Sequence, residues 1–109
     1  MTYREQQNLA LKARDSKVLP FKTKAVGWIS LAARLLAAAE LSARRRAANP
    51  EALARTEAAA EALAADIAEC QAFAADNHDV AIELGQVEAG YGEARQRLDR
   101  ARHLLAAAG

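Results

Sequence analysis

The residues best suited to chemistry are few and do not assemble into a familiar catalytic set. Asp76, His78, Asp79 and Glu83 form the one metal-like cluster of carboxylates and imidazole. Their spacing matches neither the Glu-x-x-His pattern of di-iron bundles nor a zinc motif, and a turn that caps a helix uses the same residue types. Cys70 is the single cysteine, so no disulfide can form within the chain. It falls on an apolar helical stripe and reads as a small core residue rather than a nucleophile. His103 is isolated between Arg102 and Leu104. Gly85, Gly90 and Gly92 lie in a helical pattern with no preceding strand and no Lys-Ser/Thr, which excludes a phosphate loop. These residues imply no enzyme, no metal, no cofactor and no small-molecule substrate.

Charge is more informative than catalytic chemistry. Residues 1–49 carry ten Lys/Arg against three Asp/Glu, residues 50–93 one Arg against ten acids, and residues 94–109 four Arg against Asp99. The runs amount to +7, −9 and +3, which the net charge of +1 conceals. Lys12, Arg14, Lys17, Lys22 and Lys24, near Tyr3, Phe21 and Trp28, are the candidates for nucleic acid or an acidic partner, because cations neutralise phosphates and aromatics stack. Arg44, Arg45 and Arg46 join them, although they also suit a helix C-terminus, where cations meet the negative end of the dipole.

The elements that must position these groups are helices. Thirty of the 109 residues are Ala, while Gly numbers five and Pro two; Ala loses no side-chain entropy in a helix. Thr2-Tyr3-Arg4-Glu5 is a capping box, followed by a short basic helix that should break at Val18 to Phe21, because Pro20 lacks an amide and restricts Leu19. A second helix is expected over 22–48. Asn49-Pro50-Glu51 marks the strongest boundary, with a cap, a proline at the first helical position and an acid in the first turn. The third helix covers 50–75, with Leu53, Thr56, Ala60, Leu63, Ile67, Cys70 and Ala74 spaced three and four apart. The fourth covers 79–107 on a seam of Val80, Leu84, Val87, Tyr91, Ala94, Leu98, Ala101, Leu105 and Ala108. Gly85 and Gly92 flank that seam and suggest a close helix crossing. The expected fold is all-α: one elongated antiparallel bundle of three long helices plus a shorter N-terminal helix over 1–21, packed in coiled-coil fashion.

Short turns force sequential helices to run antiparallel, and that topology uses much of the charge. It brings Lys24 near Asp76 and Arg34 near Asp66, and places Arg95, Arg97 and Arg102 near Glu61, Glu57 and Glu51. Glu83, Glu88 and Glu93 stay unmatched in this register, since Glu88 and Glu93 fall level with other acids; they form the candidate partner-binding surface. Large apolar residues are thin for a single domain, so self-association is expected, with Val80, Leu84, Val87, Tyr91, Leu98 and Leu105 as its seam. The longest uncharged run, Ala25 to Ala33, falls short of the roughly 20 residues of a membrane span; a cytoplasmic location follows as the expectation.

These features point first to a small helical module that binds another protein, or itself, through helix faces: an adaptor, an inhibitor or an assembly subunit. A short basic N-terminal unit before a long antiparallel hairpin also resembles, in layout only, the small terminase subunits of phages. No residue motif matches theirs, and Lys17-Val18-Leu19-Pro20 does not make a helix-turn-helix turn. That resemblance implies an oligomeric assembly protein whose N-terminal part contacts nucleic acid.

Overall fold

The computed structural model describes residues Thr2 to Ala108, and within them the chain is helical almost throughout. Three long helices, α1 (Tyr3–Arg45), α2 (Pro50–Asp76) and α3 (Ala81–Ala108), are joined by a short loop and by a 3-10 turn at His78–Val80. The molecule is a rod of 65 × 21 × 17 Å. Its long dimension is that of α1, whose 43 residues span about 64 Å at 1.5 Å per residue. The α2–α3 hairpin is shorter, at roughly 40 Å, so the first turns of α1 overhang it.

The expected break at Pro20 does not occur. α1 is continuous, and the separate N-terminal helix merges with the one that follows it. A proline inside a helix costs about 3 kcal/mol through a lost hydrogen bond and a clash with the carbonyl four residues earlier. Here Ser16 and Pro20 both lie on the exposed side, so the Ser16 carbonyl stands toward solvent. On the opposite side Val18, Phe21 and Ala25 are buried against the hairpin and hold the helical course. Tertiary burial outweighs the local penalty.

The ends follow the sequence closely elsewhere. Thr2 accepts from the Glu5 amide while the Glu5 carboxylate accepts from the Thr2 amide, which completes the capping box. Asn49 accepts from the Ala52 amide at 3.1 Å, with Pro50 as the first helical residue. α1 stops at Arg45 because Arg46 turns left-handed, at φ 50 and ψ 41. Asn77 closes α2 by donating to the Phe73 carbonyl.

α2 runs antiparallel to both neighbours, which leaves α1 and α3 parallel to each other. These two make the most extensive helix contact, and the reason is side-chain size. Val18, Ala25, Ala32 and Ala39 recur at heptad spacing on α1, as do Val80, Val87, Ala94 and Ala101 on α3, and all are buried. Small residues at the crossing let the helix axes approach closely. Gly90 belongs to this contact: a Cβ there would meet Ile29 Cδ1 at 3.5 Å and Ala25 Cβ at 3.6 Å. Gly85 and Gly92 do not, since a Cβ at either would meet no other side chain or helix within 4 Å. The glycines expected to flank a close crossing instead face open space.

The core divides along the rod. Its larger, lower part, reaching from the α2–α3 turn to mid-rod, holds Phe21, Leu63, Ile67, Cys70, Leu84, Tyr91 and Leu98, with Trp28 and Phe73 against them. The upper part, around the α1–α2 loop, has Ala39, Ala52, Ala101 and Leu105, flanked by Leu36, Leu53 and Leu104.

Candidate functional surfaces

The two charge sets left over by the sequence reading find each other. Arg14 on α1 donates to Glu83 Oε1 at 2.9 Å and to the Asp79 carbonyl at 2.8 Å. Lys17, one turn on, reaches Asp79 Oδ2 at 3.0 Å. The basic start of α1 therefore lies against the acidic start of α3 and ties the α2–α3 turn down. The Lys17 hydrogen bond holds the Asp79 carboxyl below its ordinary value. Lys17 and Asp79 are exposed and their pairing is screened by solvent, while Arg14 and Glu83 are half-buried, so the two contacts set register more than they stabilise.

Across the α1–α2 contact, Lys24 sits 3.4 Å from Glu69 and 3.7 Å from Asp66. Trp28 Nε1 donates to Asp66 Oδ2 at 2.7 Å. The register differs by about two to three turns from the one that would set Lys24 beside Asp76 and Arg34 beside Asp66. α1 ends three residues before the expected Ala48, and the left-handed Arg46 shortens the climb to the loop. No ion pair forms between α2 and α3 among the described residues. Arg97 bonds to Glu93 at 2.8 Å and Arg102 to Asp99 at 3.2 Å, each within α3, while Arg55 turns to Glu51 within α2. Helix neighbours at these spacings are already within reach, which takes precedence over the cross-helix pairing expected for Arg95, Arg97 and Arg102.

The candidate residues are therefore distributed as follows. Of the acidic surface, Glu83 engages Arg14, Glu93 engages Arg97, and Glu88 is half-buried near Cys70 and in no ion pair among the described residues. Of the cations, Arg14, Lys17 and Lys24 are committed to intrachain contacts; Lys12, Lys22, Arg44, Arg45 and Arg46 are exposed and in no ion pair among the described residues. The proposed self-association seam, Val80, Leu84, Val87, Tyr91, Leu98 and Leu105, is buried in the chain's own core. It contacts α1 and α2 and offers no face to a second copy.

Tyr91 is the most constrained polar group. It has no exposed surface, and its hydroxyl donates to the Phe21 carbonyl at 3.3 Å. Burial, with the Cys70 thiolate that forms only at alkaline pH and the Asp66 and Glu69 carboxylates, pushes its pKa up to about 12. Burial likewise raises the Cys70 thiol, helped by Glu88 and Glu69, so Cys70 stays protonated and unreactive at neutral pH. The Tyr91 and Trp28 partners were not foreseen, although aromatics carrying a polar tip on an apolar stripe require such a partner when buried. Among the described residues, no group of three His, Cys, Asp or Glu side chains could hold a metal ion.

The surface that remains is apolar and open. On the side of the α1–α3 pair away from α2, Lys22, Ala25 and Val26 of α1 and Glu83, Gln86, Val87 and Gly90 of α3 line a shallow groove. Val26 is 68% exposed, and Ile82, one turn before Gln86, is 80% exposed. A second shallow concavity continues along α1 through Lys12, Asp15, Ser16 and Leu19, again reaching Lys22. Because α1 is unbroken, it is also long and apolar enough, by length and composition alone, to cross a membrane, and most of that stretch is not buried in the bundle. The uncharged run Ala25 to Ala33 by itself falls short of such a length, and the continuity of α1 through Pro20 supplies the rest. No family model, curated protein or solved structure matches the chain.

Proposed function

We propose that the protein is a small helical protein–protein interaction module, an adaptor, inhibitor or assembly subunit, that works by presenting a helix face rather than a pocket. The observation that supports this reading most directly is the open side of the α1–α3 pair, where Leu19 and Val26 are each at least 60% exposed. Scattered exposed apolar residues are ordinary, but Leu19 and Val26 share one side of α1 and line its two adjoining concavities among Lys12, Asp15, Lys22 and Glu83, an apolar strip rimmed by charge as binding surfaces are. Their side chains contribute little to the fold, and a partner that buried them would gain about 25 cal/mol per Å² of apolar surface. We place its action in the cytoplasm, in keeping with a single buried thiol.

A photo-crosslinking side chain at Val26, compared with one at Ala62 on the exposed back of α2, tests the reading in cells of the source organism. A discrete adduct from Val26 and none from Ala62 is the expected result. Equal adducts from both positions, or none from either, would sink the idea.

The alternative is an oligomeric nucleic-acid-binding assembly protein. Its support is the set of cations left unpaired: Lys12 and Lys22 on the lower part of α1, and Arg44, Arg45 and Arg46 at its top. These form two separate clusters, and the three arginines, at consecutive positions, point in different directions around the helix end. Duplex binding at about 50 mM salt that weakens steeply with added salt and is lost on reversing Lys12 and Lys22 would favour this reading.

A further inference from the structure

We infer that the open α1–α3 face is the contact between two copies of this chain, packed antiparallel about a two-fold axis beside Ser30. The inference rests on the interaction-module reading and commits it to one partner.

The argument starts from one stripe of α1. At about 100° per residue, Asp15, Lys22, Val26, Ala33, Glu40 and Arg44 fall on nearly the same side of the helix, with Leu19 and Ile29 beside them. This stripe includes the groove residues Lys22 and Val26 and the concavity residues Asp15 and Leu19. Read upward, its charges alternate: Asp15 negative, Lys22 positive, Glu40 negative, Arg44 positive. None of the four belongs to an intrachain ion pair among the described residues.

Such an order is self-complementary under reversal. Asp15 and Arg44 stand nearly equidistant from Ser30, as do Lys22 and Glu40. An antiparallel copy therefore sets each acid against a base, twice over by symmetry, as a two-fold interface requires. The apolar residues obey the same reversal. Leu19 and Leu41, both exposed, are equidistant from Ser30 and pack across the interface, and Val26 lands on Ala33 of the other copy. Small Ala33 at the centre lets the two α1 helices approach to roughly 8–10 Å.

The same charges argue against the obvious alternative. Pairing through the overhanging starts of α1 would leave the Lys22 and Glu40 charges unmatched, and the nearby Arg14 and Lys24 are already held by Glu83 and by Asp66 and Glu69 of the same chain. A parallel pairing fares no better, because every charge on the stripe would meet its like.

The test is a charge swap read by sedimentation equilibrium. The wild-type chain should rise with concentration from 11.7 kDa toward twice that mass. Lys22→Glu and Glu40→Lys should each weaken dimerisation about ten-fold, since each creates two like-charge contacts. The double variant Lys22→Glu/Glu40→Lys should return to within about two-fold of wild type. All four positions of the stripe lie outside the core, and unchanged thermal melts of the helix signal at low concentration will show that the fold is intact. A single 11.7 kDa species throughout, single variants without effect, or a double variant no better than the singles would each overturn the dimer. A monomer that still yields a discrete Val26 adduct with a different protein would remove the dimer and leave the interaction-module reading standing.

Discussion

The two ends of the rod are built on different principles. At the lower end the helices are joined by large side chains and by polar contacts that cross from one helix to another: Phe21 on Phe73 with ring centroids 5.0 Å apart, Tyr91 on the Phe21 carbonyl, Trp28 on Asp66, Arg14 on Glu83 and Lys17 on Asp79. At the upper end the core is mostly alanine, and the ion pairs, Arg55–Glu51 and Arg102–Asp99, stay within a helix. Register is therefore specified below and inherited above. Small residues permit close approach but distinguish poorly between one turn and the next, whereas a buried tyrosine with a single acceptor does not tolerate a shift.

Truncation should expose this asymmetry most strongly. Leu63→Ala, in the lower core, is expected to cost about 3–5 kcal/mol, and Leu105→Ala, in the upper core, about 2–3. Chemical denaturation measures both, and equal losses would erase the distinction. Pro20→Ala should move stability the other way, by about 1–3 kcal/mol, because it restores the bond to the Ser16 carbonyl and removes a clash. A neutral or destabilising outcome would show that the lower end needs the proline's local geometry.

Smaller effects sharpen the same contrast. Trp28→Phe removes a hydrogen bond to a carboxylate and should cost about 1.5 kcal/mol. Gly85→Ala and Gly92→Ala should each stabilise α3 by about 0.5–1 kcal/mol, since neither position meets a neighbour. Smallest of all, Arg102→Gln at the upper end should fall within about 0.5 kcal/mol of wild type.

The pH dependence divides by end as well. Tyr91 has a raised pKa, so its contribution is complete below the unfolded value of 10 and is lost as pH climbs toward about 12. Asp79 has a lowered one, so its contribution is present above the unfolded value of 3.8 and fades as pH falls through the lower folded value. Both groups belong to the lower end. Alkaline and acid unfolding, followed by amide exchange, should therefore loosen the α2–α3 turn before the α1–α2 loop.

Much of this arrangement is legible in the chain because it depends on neighbours in sequence. The Thr2 capping box, the Asn49-Pro50 start of α2 and the α3 seam from Val80 to Leu105 are local patterns with local causes. What escapes such reading depends on segments far apart. Pro20 reads as a stop until Val18 and Phe21 are seen to be buried by α3 and α2. The heptad run of Val18, Ala25, Ala32 and Ala39 looks like helix-forming filler until it meets Ala94 and Ala101. Of the candidate surfaces, the charges were found but not their partners: the basic start of α1 and the acidic start of α3 looked like two docking sites, and much of each is occupied by the other.

The overhang of α1 has a mechanical consequence. Pro20 leaves one backbone bond missing, and helices bend most readily at such a point. Below it, Arg14 and Lys17 fasten the helix to Glu83 and Asp79, so a bend at Pro20 would swing the overhang and the α2–α3 turn together as one lever. From Pro20 to Tyr3 is roughly 25 Å, and a tilt of about 10° would carry the tip some ~4 Å sideways. A modest flexing of the rod is thereby magnified at its far end.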